Sequence, residues 1–210
     1  MEEVEVEIVL EELPDVPRAV EGLAAHLGLA PHSLGMTSTL DRMVDTEDMA
    51  LLAKDHSLRV RQKLENIYAG SEFRLTYKYP LEEHERLFIR DEQKLKLSEP
   101  DFDAVLRLLS HITQGVSGAK LSDILHIEEL AREAHLGPQG AQVNVSIDEC
   151  VYTLPGEEEP APKEFVFEIE SHGVEREIIL KAADWVLSEV GGRLAVQCKY
   201  ARGLRLLGKL

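Results

Sequence analysis

The sequence predicts an α+β fold, a mainly antiparallel sheet or barrel with a few helices on one layer. Three observations predict it. Several segments alternate apolar and polar residues with period two, short helical stripes punctuate them, and each alternating segment carries charge of one dominant sign. The chain has 210 residues, 44% hydrophobic and 30% charged, enough to bury a core in a single domain spanning 1–210. No apolar run approaches ~20 residues, so no membrane span is expected. The start, Met1-Glu2-Glu3-Val4-Glu5, is acidic where a signal peptide would be basic and then apolar. Two cysteines, Cys150 and Cys198, form neither a disulfide framework nor a metal spacing, which suits a cytoplasmic protein. Acids outnumber bases 39 to 23, a formal charge of −16, which argues against non-specific duplex DNA as a partner.

In chain order, residues 3–10 put Glu3, Glu5 and Glu7 on one face and Val4, Val6, Ile8 and Leu10 on the other. Asp15 then caps a first helix, with Pro17 in its first turn and Ala19, Val20, Leu23 and Leu27 as its stripe. Residues 58–64 oppose Arg59, Arg61 and Lys63 to Leu58, Val60 and Leu64. Residues 73–79 oppose Arg74, Thr76 and Lys78 to Phe73, Leu75, Tyr77 and Tyr79, and 86–92 holds Arg86, Arg90 and Glu92 in phase. A second helix is expected from Ser98 to about Gly115, with Phe102, Val105, Leu106, Leu109 and Ile112 apolar. Strand 143–148 shows Asn144, Ser146 and Asp148 against Val143, Val145 and Ile147. The acidic, proline-rich stretch 155–164 reads as a hairpin loop. Strand 165–170 sets Glu168 and Glu170 against Phe165, Phe167 and Ile169. A third helix covers about 182–190 and stops at Gly191-Gly192, and a short strand is expected at 194–200.

One charged face on an antiparallel strand normally points at water. Here 3–10, 143–148 and 165–170 present carboxylates, whereas 58–64 and 73–79 present arginine and lysine. Closed into a barrel with those faces inward, the strands would set acids on one side of the interior and bases on the other. Carboxylates two apart on a strand suit a hard divalent cation such as Mg²⁺. Arginine and lysine supply donors for phosphate oxygens. Together they describe a polyphosphate site in which local charge outweighs the total.

With those faces in place, the ordered set Glu5-x-Glu7, Asp45-Thr46, Leu58-Arg59-Val60-Arg61, Leu75-Thr76-Tyr77-Lys78, Asp148, Glu168-x-Glu170 and Lys199-Tyr200 resembles the CYTH domains, or triphosphate tunnel metalloenzymes. The resemblance runs from residue 5 to residue 200. It implies an eight-stranded antiparallel barrel with helices packed outside, enclosing a tunnel for a triphosphate and Mg²⁺ or Mn²⁺. It also implies a small-molecule triphosphate or nucleotide as substrate and a homodimer. By resemblance, Glu5, Glu7, Asp148, Glu168 and Glu170 are metal-side residues. Arg59, Arg61, Lys78 and Lys199 would face the phosphates, joined by Arg74 or Arg90, with Glu5, Glu7, Arg59 and Lys78 the catalytic set.

Two positions depart from the family pattern. Its first strand usually reads Glu-x-Glu-x-Lys, and the lysine position here is Val9. Between 117 and 136 relatives present another base; Arg132 is the candidate, although 127–132 also suits a helix. Hydrolysis of inorganic triphosphate is therefore the leading expectation. The alternatives are a class IV-like adenylate cyclase and a domain that binds nucleotide or polyphosphate without turnover, as Val9 suggests. The eight histidines show no zinc spacing. Gly115-Val116-Ser117-Gly118-Ala119-Lys120 lacks P-loop spacing and reads as a helix C-terminal turn. Trp185 reads as packing.

Overall fold

The structure is a computed structural model that describes residues 2–64, 73–97, 120–138, 140–157, 159, 163–171 and 174–210. Its elements run β1 (Glu2–Leu10), α1 (Val16–Leu27), β2 (Pro31–Thr46), a short 3-10 turn (Leu52–Lys54), β3 (Ser57–Lys63), β4 (Phe73–Glu82) and β5 (Phe88–Leu97). Then follow β6 (Leu121–Leu136), β7 (Val143–Thr153), β8 (Glu164–Ser171), α2 (Arg176–Glu189), β9 (Arg193–Leu194) and α3 (Lys199–Leu206).

The strands form one antiparallel sheet in the order β5-β4-β3-β2-β6-β7-β8-β1, and β1 pairs again with β5 through Glu3 and Arg90. That last pairing closes an eight-stranded barrel and removes its free edges. β9 adds a short extension beside Ile8 and Val9 of β1. In this order the base-bearing β3 and β4 are neighbours, as are the acid-bearing β7, β8 and β1.

Both faces of β1 are buried, and each for its own reason. Val4, Val6 and Ile8 face outward under α1 and α2, in a core with Val20, Leu23, Ile179, Ala183 and Val186. Glu3, Glu5 and Glu7 face the interior and are 1–3% exposed. The apolar faces thus build the fold from outside the barrel, leaving the inside for charge. α1 begins where expected: the Asp15 side chain accepts from Arg18 N at 3.3 Å, Pro17 sits in the first turn, and Gly28 closes the helix at φ 68°. Trp185 does pack, against Gly22 of α1 and beside His26.

α3 plugs one end of the barrel, where Tyr200, Ala201 and Leu204 meet Met43, Leu125, Ile127, Cys150 and Tyr152. This corrects the expected strand at 194–200. Val196, which that strand would bury, is 80% exposed, and burial instead follows the helical spacing of Tyr200, Ala201 and Leu204. The open reading at 127–132 resolves as strand. β2 was not expected at all: its inward positions are Thr37, Thr39 and Asp41, and on the other face Ser38 and Arg42 interrupt Leu34, Met36 and Leu40, so neither face shows a continuous apolar stripe. The loop reading of 155–164 fails at its last residue, because Glu164 opens β8 and is buried. The third helix starts earlier than expected, at Arg176. The second expected helix, 98–115, and the turn at 115–119 lie outside the described residues. Among the described residues no helix is long and apolar enough to cross a membrane.

Candidate active site

Register brings the inward carboxylates together. Glu5 pairs across the ladder with Glu170, and Glu7 with Glu168, so β1 and β8 aim four acids at one region. Oxygens of Glu5, Glu7 and Glu168 all lie within 4.8 Å of one another. Three hard oxygen donors converging in a buried place suit a divalent cation. Asp148, on the neighbouring β7, is 1% exposed, and its Oδ1 is buried with no hydrogen-bond partner. An orphaned carboxylate oxygen beside this cluster fits a cation that the protein does not itself supply.

Each carboxylate of the cluster carries a base from a different direction. Lys78 Nζ of β4 stands 3.2 Å from Glu5 and 2.7 Å from Glu3. Lys199 Nζ at the head of α3 lies 2.8 Å from Glu168 and 2.9 Å from Glu129, and also pairs with Asp148. Arg202, one turn further along α3, pairs with Glu7 through Nη1 and with Glu164 through Nε at 3.0 Å. On the opposite wall, Asp41 of β2 receives Arg59 Nη1 at 2.9 Å and Arg61 Nε at 2.6 Å, and Arg61 Nη2 reaches Glu129 at 2.9 Å. The deep tunnel is therefore a set of internal ion pairs.

These pairs and their burial set the protonation of the acids. Burial pushes Glu7 up to about 8, against the pull of Arg202, and the neighbouring Glu5 adds to the rise. Burial likewise raises Asp148 to about 7 despite Lys199, with Glu129 and Glu168 contributing. For Glu5 burial acts upward, but Lys78 and Arg90 outweigh it and hold the carboxyl well below its usual range. Glu129 is depressed in the same way: Lys199 and Arg61 outweigh its burial. The site so divides into acids that are firmly ionised and acids that keep a proton near neutrality.

The space is chambered. A cavity of about 180 Å³ is lined by Arg59, Lys78, Glu129, Asp148, Glu168, Glu170 and Lys199 among others, with Arg61 and Arg74 on its outer side. Beyond the carboxylate cluster, toward α3, a smaller cavity of about 50 Å³ is lined by Glu5, Glu7, Arg90, Tyr200 and Cys198 among others. Arg90 is 5% exposed and stacks at 4.3 Å over Phe88, and its Nε and Nη2 have no hydrogen-bond partner.

Of the residues singled out from sequence, Glu5, Glu7, Arg59, Arg61, Lys78, Asp148, Glu168, Glu170 and Lys199 all line the main or the inner cavity. Arg90 lies deep and Arg74 at the mouth. Arg132 is a correction. Ala131 pairs with Asp148 on the inward face, so parity turns Arg132 outward, 3.7 Å from Glu149. Of the inward residues Ile127, Glu129 and Ala131 the charged one is Glu129, an acid where a base was expected. Asp45 is not a tunnel residue either; its carboxylate accepts from Leu51 N and Leu52 N at 2.9 Å and anchors the 3-10 turn. Val9 is inward, 9% exposed, opposite Val166 of β8.

Asp41, Glu164 and Arg202 were missed. Arg202 had a signal: it stands three residues after Lys199, on the same side once the segment is read as helix. Asp41 had none, because β2 lacks a continuous apolar stripe.

No family model matches the sequence, and no curated protein matches it. Solved structures do. The PH1819 protein from Pyrococcus horikoshii OT3 is 21% identical, with 99% of each chain covered and a TM-score of 0.61. HpAC1 from Hippeastrum, a candidate adenylyl cyclase described as having a dominant triphosphatase activity, is 16% identical over 99% of this chain and 97% of its own, also at 0.61. A candidate adenylate cyclase from Bacillus halodurans is 15% identical over 96% and 97%, at 0.55. The likeness is one of fold, and at that level it bears out the resemblance to the triphosphate tunnel read from the sequence.

Proposed function

We propose that the protein hydrolyses a triphosphate inside the tunnel, inorganic triphosphate foremost, with Mg²⁺ or Mn²⁺ at Glu5, Glu7 and Glu168. The observation that carries this reading is the convergence of those three carboxylates where the inner cavity meets the main chamber, the two sharing Arg59, Lys78, Glu168 and Lys199, with Arg61 on the main chamber's wall. HpAC1, which shares the fold, is described as a triphosphatase, and that supports the same chemistry here.

Asp148 and Glu170 complete the acidic wall. A divalent cation bound there would neutralise phosphate oxygens and lower the pKa of a coordinated water. The chain's own residues do the positioning. Arg59 and Arg61 offer fork donors, and Lys78 and Lys199 offer ammonium groups, to oxygens of the chain of phosphates. Water adds to the terminal phosphorus and the bond to the bridging oxygen breaks. Orthophosphate and pyrophosphate leave, the water's proton going to the phosphate products. Phosphoryl transfer of this kind asks mainly for positioning and charge stabilisation.

The test is phosphate release from inorganic triphosphate, ATP and thiamine triphosphate, each with Mg²⁺, with Mn²⁺ and with chelator, alongside an assay for cyclic AMP. Metal-dependent phosphate release is the expected outcome, lost in both Glu168→Ala and Arg59→Ala. Cyclic AMP as the main product of ATP would assign a cyclase instead. Val9 favours a second reading, binding without turnover, because it puts an apolar side chain beside Val166 where the family pattern that the sequence resembles has a lysine. Tight, metal-dependent binding of triphosphate with no phosphate release would establish that reading.

A further inference from the structure

Five bases of the tunnel interior are committed to carboxylates, whereas two at its open mouth are not. Arg59, Arg61, Lys78, Lys199 and Arg202 each form ion pairs. Lys63 and Arg74 form none among the described residues. Both border a separate cavity of about 180 Å³, together with Thr37, Thr39, Arg61 and Glu133. Ladder register puts them on one inward patch: Thr39 lies opposite Lys63, and Arg61 opposite Arg74. Thr39 is 1% exposed, and its hydroxyl is buried with no hydrogen-bond partner.

A buried hydroxyl without a partner, beside two uncommitted cations, is an arrangement that an anion would satisfy. Glu133 is the one acid of this cavity among the described residues, and its carboxylate accepts from Thr37 Oγ1 at 3.2 Å. Arg61 already serves Asp41 and Glu129, so Lys63 and Arg74 together outweigh Glu133. Arg61, Arg74 and Glu133 also line the main chamber, so the two spaces adjoin across these three side chains. Among the described residues neither lining includes phenylalanine, tyrosine or tryptophan, so these walls offer a nucleobase none of those rings to stack on. A chain that continues outward as further phosphate meets cations and a free hydroxyl.

We propose that the mouth cavity is a subsite for a fourth phosphate group, which makes linear polyphosphates longer than three units the preferred substrate class. Thr39 and Lys63 are its specific donors, with Arg74 at its edge. This inference rests on the reading of the tunnel as a triphosphate site.

The experiment measures kcat/KM with Mn²⁺ for tripolyphosphate, tetrapolyphosphate and ATP, in the unaltered protein, Lys63→Met and Glu133→Gln. The unaltered protein is expected to prefer tetrapolyphosphate over tripolyphosphate by about tenfold, the size of one charge-assisted contact. Lys63→Met should remove most of that preference while leaving tripolyphosphate within about twofold, and Glu133→Gln should increase the preference. Equal rates on the two polyphosphates, equal losses on both in Lys63→Met, or a preference for ATP would overturn the subsite. If none of the three is hydrolysed, the hydrolase reading has failed. The subsite is then judged by calorimetry with Mn²⁺: the same affinity ratio and the same response to Lys63→Met support it, and a ratio of one overturns it. Lys63 is exposed, and thermal melts of the variants establish that each remains folded.

Discussion

Lys199 Nζ lies 2.8 Å from Glu168, so a base at the head of α3 neutralises one of the three carboxylates that converge as a cation site. The same ammonium holds Glu129 and Asp148. In the proposed cycle this lysine has two uses. It stands against the acids when the tunnel is empty, and it is available to phosphate oxygens once a divalent cation takes the acids over.

Removing that competitor has a definite sign. In Lys199→Met, Mn²⁺ binding without any phosphate present should tighten by about tenfold, since the ion no longer displaces an ammonium. Hydrolysis of triphosphate should fall by about a hundredfold, because one charge-assisted donor is gone. Calorimetry and phosphate release measure the two halves. Unchanged Mn²⁺ affinity would mean that Lys199 is not a counter-ion of the site.

Arg202 is bound more rigidly than Lys199. It holds Glu7 on one side and Glu164 on the other, donates from Nη1 to Gln197 O at 2.6 Å, and Tyr152 Oη donates to Glu164 at 2.6 Å. Replacing one partner of a buried pair leaves its charge uncompensated. Arg202→Met should therefore cost about 3–5 kcal/mol of folding stability. Glu164→Gln should cost less, because Arg202 keeps Glu7. Urea unfolding of the metal-free protein gives both values, and equal losses would contradict the ordering.

The legible part of this molecule was the part with two unlike strand faces. Glu3, Glu5, Glu7, Arg59, Arg61, Lys78, Asp148, Glu168 and Glu170 were visible because each alternates with apolar residues that pack on the barrel's outside. β2 was harder to see: the alternation of Leu34, Met36 and Leu40 is broken by Ser38 and ends at Arg42 on the same face, and Leu34 and Met36 point to solvent. Lys199 was chosen for the tunnel while its segment was misread, since four residues of alternation cannot be told from the start of a helix. Arg132 failed by one position of parity, which only the ladder with Asp148 decides. Val9, the position where the family pattern has a lysine, shares the inward parity of Glu5 and Glu7. Arg202, the cation that pairs with Glu7, comes from an element almost two hundred residues away in sequence.

Gly203 of α3 is a matter of space. A Cβ there would collide with the ring of Tyr152 and with Leu125, the residues on which the helix rests. Because Tyr152 also holds Glu164, the ring cannot move without loosening the clamp on Arg202. Gly203→Ala should cost about 1–3 kcal/mol, a fall in Tm of roughly 3–10 °C. A melting temperature equal to or above that of the unaltered protein would show that α3 has room to shift.

The raised acids make stability depend on pH in an unusual direction. Burial first, with Glu5 or Glu129 adding, puts Glu7 at about 8 and Asp148 at about 7 in the folded protein, against ordinary values of 4.5 and 3.8. Between those limits the folded chain holds protons that the unfolded chain has released, so stability falls as pH rises. The contribution is complete below the ordinary values and is lost by about pH 8. Glu5, Asp41 and Glu129 are lowered and act oppositely, but they lose their contribution only in acid. In chelator, the melting temperature should therefore decline from about pH 5.5 to about pH 8.5. Mn²⁺ needs the ionised carboxylates, so the stabilisation it adds should grow across that same window. Glu7→Gln removes the group with the larger rise and should flatten the decline in chelator. Thermal melts across pH, with chelator and with Mn²⁺, decide it: a melting temperature that climbs with pH in chelator would show that Glu7 and Asp148 are ionised throughout.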